Sequence, residues 1–119
     1  MDAPDAFAPA ALGPITLRNR IIKAATFEGR TPDHVVTDSL IDFHTEVAAG
    51  GVGMTTVAYL AVSREGCGTP NEIALGPKAV PGLTRLTEAI HAEGAKASAQ
   101  VGHAGAGGAA ARGEGPYPA

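Results

Sequence analysis

An α/β fold on a parallel sheet is predicted from three observations. Strand-like and helix-like segments alternate along the chain. Each helical segment opens on residues suited to a helix start and closes on glycine. A turn-centred apolar pair precedes the first strand.

The elements follow in order. Residues 1–11, rich in Ala, Pro and Asp, read as a flexible leader. Leu12-Gly13-Pro14-Ile15-Thr16-Leu17 sets apolar residues around a Gly-Pro turn, which suggests a short hairpin or edge segment. Ile21 to Thr26 is a mainly apolar run and a candidate buried strand, and Glu28 to His34 is a loop. Thr37-Asp38 places a capping hydroxyl and a first-turn carboxylate ahead of Leu40, Ile41, Phe43, Val47 and Ala48, an apolar face at helical spacing that ends at Gly50-Gly51. Val52 to Tyr59 is the second strand. Ser63 to Pro77 is a long loop broken by glycine and proline. Val80, Leu83, Leu86 and Ile90 mark a second helix, with Pro81 in its first turn, His91 in its last and Gly94 as the stop. Lys96 to Val101 alternates as the third strand, and the tail to Ala119 is Gly-, Ala- and Pro-rich.

The order is hairpin, then β-α-β-α-β, with parallel strands and right-handed crossovers. A closed (β/α)8 barrel takes about 250 residues. This chain therefore reads either as a small open α/β sheet or as a piece of something larger. Residues 12–105 form the organised part, and 106–119 a loop running to the end.

Composition narrows the function classes. The 119 residues are 45% hydrophobic, mostly Ala and Val, with no Trp, three Phe and two Tyr. Small side chains bury little area each, so a core built from this chain alone is thin. Nine Lys plus Arg against twelve Asp plus Glu, a net charge of -3, give no footprint for nucleic acid or an anionic membrane. A lone Cys67 excludes an internal disulfide and fits a reducing compartment. The start carries no signal-peptide pattern, and Val52 to Val62 is too short and too threonine-rich to span a bilayer. A soluble cytoplasmic protein is the expectation.

In a parallel α/β sheet the ligand site lies at the carboxyl ends of the strands. Those ends are Ala24 to Glu28, Ala58 to Ala61 and Gln100 to Gly105. They offer little acid–base power but many small residues, with a donor and an acceptor at Gln100. Such a set suits a flat cofactor that brings its own chemistry.

Three separated motifs then carry a resemblance. Leu17-Arg18-Asn19-Arg20-Ile21-Ile22 running into a strand resembles the opening of the old yellow enzyme family of NADH:flavin oxidoreductases. Ala48-Ala49-Gly50-Gly51-Val52-Gly53-Met54 agrees with it, as does Ile90-His91-Ala92-Glu93-Gly94-Ala95-Lys96 leading to Gln100-Val101-Gly102-His103-Ala104-Gly105. The match spans about residues 11 to 105. It implies the N-terminal part of a (β/α)8 TIM barrel with FMN on its carboxyl face, and NADH or NADPH as electron donor. The acceptor is a small molecule, an activated alkene or a related compound, and homo-oligomerisation of the intact parent is left open.

The resemblance also implies cofactor-binding positions. Backbone groups of Ala24, Ala25, Thr26 and Phe27 contact the isoalloxazine. Tyr59, with Ala58 beside it, lies under the flavin, and Gln100 bonds its pyrimidine edge. The chain departs from the family at Ala25, where Pro or Ser is frequent, at Tyr59, where a small residue is usual, and at Ala106, where arginine often follows. The resemblance implies no catalytic residue within this chain, because in the family the proton donor, substrate anchors and phosphate-binding groups come from later strands. The isolated chain is expected to be inactive, a non-catalytic piece with exposed strand edges.

Plainer readings stand beside these. Gln100 also reads as an exposed polar strand residue, Thr26 as a turn-satisfying hydroxyl, His103 as structural and His44 as a packed or rim residue. His34, His44, His91, His103 and Cys67 lack metal-ligand spacing, so no metal site is expected. Gly105 to Ala110 resembles a dinucleotide fingerprint, but Arg112 to Pro116 follows where a helix is needed, so it reads as a loop. Lys23 supports a rival function, a Schiff-base lyase, if an apolar strand desolvates its amine.

Overall fold

The computed structural model describes residues 5–108. The first four residues of the leader lie outside them. So do residues 109–119, with the end of the Gly105–Ala110 stretch and Arg112 to Pro116.

Strand β1 (Ala10–Leu12) pairs antiparallel with β2 (Ile15–Leu17), Leu12 opposite Ile15. Gly13 takes a φ of +57° in the two-residue turn, a conformation a side chain resists, and Pro14 follows. The hairpin starts two residues before the expected one, because Ala10 pairs with Leu17.

The main sheet is parallel and centred on β4 (Met54–Ala61). One edge of β4 carries β3 (Ile22–Lys23) at its start and β5 (Ile73–Ala74) at its end, while β6 (Lys96–Gly102) runs along the other edge. Helix α1 (Asp38–Ala49) connects β3 to β4, and α2 (Val80–Ala92) leads from β5 to β6. Among the described residues the sheet does not close, and β3 and β6 face no further strand.

Four expectations are corrected in detail. The first strand is two residues long rather than Ile21 to Thr26: pairing with β4 ends at Lys23, whose ammonium donates to the Ala24 carbonyl (2.8 Å) and the Thr26 hydroxyl (3.0 Å). The second strand starts at Met54, because Gly50 to Gly53 are spent reversing the chain. Gly51 has a φ of +111°, and a Cβ on Gly53 would sit 2.5 Å from the Asn19 carbonyl oxygen. The long loop contains β5, built from the apolar pair Ile73-Ala74. Val80 does not join the buried face of α2 and is 58% exposed. At about 100° per residue it stands about 90° away from the mean direction of Leu83, Leu86 and Ile90.

Both helices pack on one face of the sheet. Leu40 and Ala48 of α1, Leu86 and Ile90 of α2, Val57 and Leu60 of β4, Ile73 and Ala95 form a continuous core. Thr37 caps α1, its hydroxyl accepting from the Leu40 N–H at 3.2 Å. Arg85 and Asp38 form an ion pair between the helices. β4 is buried along most of its length, as expected of the central strand of a parallel sheet.

The Leu17–Ile22 motif gains a physical reason. Arg18 follows the hairpin and spreads its guanidinium over three carbonyls, Ala48 (2.6 Å), Val52 (3.0 Å) and Glu93 (2.7 Å). Ala48 lies in the last turn of α1 and Glu93 caps α2, so one cation satisfies the carboxyl ends of both helices and opposes their dipoles. Asn19 donates to the Gly51 carbonyl (2.6 Å) and accepts from the Ile21 N–H (3.1 Å). These contacts gather at the amino ends of β3, β4 and β6, opposite the end where a ligand is expected.

Candidate functional site

The carboxyl end of the sheet is shaped by an irregularity in β4. Val57 pairs with Ala99 but Leu60 pairs with Val101, so Ala58 and Tyr59 together oppose Gln100. This bulge changes the alternation of side chains. Thr55, Val57 and Leu60 face the helices, whereas strict period two would have sent Tyr59 there. Bulges of this kind re-aim side chains beside functional sites. Here it separates buried Ala58 from half-buried Tyr59 and frees Tyr59 to line a pocket.

The pocket, about 260 Å³, is lined by Tyr59, Leu60 and Ala61 from β4, Gln100 to Gly102 from β6, and Gly66, Glu72, His103 and Ala104 from the connecting segments. Glu72 accepts from the Thr69 N–H (2.6 Å), so its carboxylate is occupied in holding the loop. The segment after β6 is fixed by backbone bonds from Ala104 to Gly66 (2.7 Å) and from Val62 to Gly102 (3.0 Å). Gly66 lets His103 lie against the backbone, since a Cβ there would come within 2.5 Å of the imidazole. His103 Nδ1 accepts from the Gly105 N–H (2.9 Å), which favours its structural reading. The Glu65 carboxyl is held below its usual range, first by a backbone hydrogen bond and then by a hydrogen bond from Ser63, which outweigh the opposing effect of burial, with a last contribution from the nearby His103.

The expected flavin-contacting residues divide into two groups. Phe27 and Tyr59 stack with ring centroids 5.9 Å apart, joining the exit of β3 to the wall of the pocket. Gln100 lines the same pocket, and its carboxamide bonds no protein group among the described residues. By alternation Gln100 shares a face of β6 with Ser98, whose hydroxyl meets Thr56 at 2.7 Å away from the helices. Ala24 and Thr26 are exposed and Ala25 half-buried, and the first two are tied to Lys23 rather than to the pocket wall.

Lys23 sits opposite Thr55 and so lies on the helix-facing side of the sheet, its ammonium 5.5 Å from the centroid of the Phe43 ring on α1. It also lies 3.5 Å from Glu28. An amine so occupied is not presented to a carbonyl substrate. Reading residues one at a time also missed Glu28, whose side chain is 1% exposed and 3.1 Å from His44 Nε2. No sequence spacing marks that pair, because a loop residue and a helix residue meet only after β3 and α1 pack.

Residues 5–115 match the model of the NADH:flavin oxidoreductase / NADH oxidase family. The chain belongs to that family. Among curated relatives, a 4,4'-dithiodibutanoate disulfide reductase of Rhodococcus erythropolis is 61% identical over 86% of this chain and 25% of its own length. A metal reductase of Desulforamulus reducens is 41% identical over 83% of this chain and 15% of its own. The old yellow enzyme homologue of Zymomonas mobilis has a similar structure, with a TM-score of 0.76 and 27% identity over 84% of this chain and 28% of that one. Morphinone reductase, solved in complex with tetrahydroNAD, gives a TM-score of 0.77 at 25% identity, over 85% and 28%. This chain thus spans about a quarter or less of its first relatives. The expected resemblance holds, and the parallel sheet with its two helices matches part of the old yellow enzyme barrel. FMN and NAD(P)H are the cofactors of this oxidoreductase family.

Proposed function

We propose that these residues form the ring-facing part of the FMN site in a longer NAD(P)H-dependent reductase and are inactive by themselves. The observation that carries this is the carboxyl end of the sheet, where the Gln100 carboxamide, unpartnered among the described residues, and the bulged Tyr59 line an open pocket, with Phe27 stacked on Tyr59 at its edge. These residues fit a flavin ring. Gln100 offers a donor and an acceptor to a heterocyclic edge, Ala24 and Ala25 leave backbone accessible, and the Phe27–Tyr59 stack supplies an aromatic wall.

When bound, FMN would supply the hydride-transfer chemistry between NAD(P)H and an acceptor. The chain's own groups bind and orient: Gln100 fixes the pyrimidine edge, and Ala24, Ala25, Thr26 and Phe27 present backbone to the ring. Tyr59 packs beneath it. None of them donates a proton to substrate, which is why activity is assigned to the longer protein.

The acceptor class is an activated alkene or a related compound. A second reading, an organic disulfide, is favoured by the 61% identity to a protein named for disulfide reduction. The test is to follow NAD(P)H oxidation by the FMN-loaded full-length protein with an activated alkene and with an organic disulfide. Turnover of the alkene supports the first reading, and turnover of the disulfide alone supports the second. Neither acceptor being turned over by a flavin-loaded protein refutes both.

A further inference from the structure

A buried ionic cluster lies behind the site, and the proposed flavin role does not use it. The Glu28 side chain is 1% exposed and that of His44 fully buried. Glu28 Oε1 stands 3.1 Å from His44 Nε2 and 3.5 Å from Lys23 Nζ. Behind it, His44 Nδ1 meets the fully buried Thr55 hydroxyl at 2.7 Å. In front, the Lys23 ammonium donates to the Ala24 carbonyl and the Thr26 hydroxyl. Phe43 closes the cluster, with Lys23 and Arg30 both over its ring.

The components bear different weights. His44 Nε2 and Glu28 are close but out of hydrogen-bond alignment, and among the described residues neither carboxylate oxygen has a hydrogen bond. The hold on Glu28 is therefore mainly ionic, supplied by Lys23. A carboxylate this deeply buried is costly unless paired, and Lys23 is the cation nearest to it. His44 Nδ1 shares a hydrogen bond with the Thr55 hydroxyl at the back of the cluster.

We propose that Glu28 is a positioning residue for the segment Ala24–Phe27. Its charge holds the Lys23 ammonium, which grips Ala24 and Thr26 from one side. Its backbone directly follows Phe27, whose ring stacks on Tyr59 at the pocket wall. The segment leaves a strand only two residues long, so the ladder to β4 does little to fix it. The ionic tie replaces the missing ladder, and Glu28 lies against His44 of α1, which in turn bonds Thr55 of β4. This deepens the FMN reading and rests on it for the flavin readout alone.

The experiment compares wild type, Glu28→Gln and the doubly substituted Glu28→Gln/Lys23→Met in the full-length protein. It measures thermal stability, amide exchange across 24–27 without FMN, and FMN dissociation by fluorescence quenching. The single variant leaves Lys23 without its counter-charge and is expected to lose stability. The double variant restores charge balance and is expected to recover stability, yet keep amide exchange at least tenfold faster and FMN binding at least tenfold weaker. A double variant that regains wild-type exchange and FMN binding overturns the proposal, since the cluster would then be only core. Failure of the double variant to fold also overturns it. If wild-type protein binds no FMN, the flavin reading fails, while the exchange result still decides whether Glu28 fixes the segment.

Discussion

Replacing Arg18 by alanine removes three hydrogen bonds from one guanidinium, to the carbonyls of Ala48, Val52 and Glu93. The bond to Ala48 is partly buried, while the other two are exposed. Hydrogen bonds to charged groups contribute about 1.5–3 kcal/mol each, and exposure brings the outer two toward about 0.5–1 kcal/mol. The expected loss is about 3 kcal/mol, from these bonds and from the charge facing two helix ends. Arg18→Lys keeps the charge but not the three-way fork, so it should recover less than half of that loss. Urea unfolding of the full-length protein, followed by far-ultraviolet circular dichroism, measures both variants. An alanine variant within about 0.5 kcal/mol of wild type, the usual range for an uninvolved surface residue, would refute the clamp. A lysine variant equal to wild type would reduce it to a point-charge effect.

Three further outcomes are expected. Leu86→Ala opens a cavity among Leu40, Val57 and Ile90 and should cost about 3 kcal/mol in the same unfolding assay. Gly53→Ala drives a Cβ against backbone at Asn19, so it should cost about 1–3 kcal/mol although it adds only a methyl group. Gln100→Leu removes a carboxamide that bonds no group among the described residues from an exposed position, so FMN affinity, read by fluorescence quenching, should fall by about tenfold while stability stays within about 0.5 kcal/mol.

Much of the fold was legible because local chemistry and global packing agree. Thr37, Gly51 and Gly94 mark helix ends by mechanisms that act within a few residues, and all three serve as expected. The Gly13-Pro14 turn is equally local. What escaped depends on partners distant in sequence. The two-residue β5 exists because Leu60 and Ala61 offer it an edge, and its own sequence is too short to announce a strand. The bulge at Ala58 and Tyr59 is visible only against β6, and it decides which way Tyr59 points. Lys23 could not be oriented from Ile22 and Ala24 alone, whereas pairing with Thr55 places it toward α1. Glu28 and His44 belong to a loop and a helix, and nothing in either segment foretells their approach.

Part of the candidate site's geometry was legible in a different sense. Gln100 and Tyr59 do meet at one pocket, and Phe27 reaches it through its stack on Tyr59. That much follows from three strands pointing their carboxyl ends the same way. The reason the residues after β3 stay in place did not follow, since it lies in the ionic cluster on the other side of the strand.

The central claim is that this segment faces the flavin ring, and a structure of the FMN-bound full-length protein tests it most directly. The expected result places the Gln100 carboxamide within hydrogen-bond distance of the flavin's pyrimidine edge, with Ala24 to Phe27 and Tyr59 against the ring. A flavin bound elsewhere, with Gln100 still facing solvent, would contradict it.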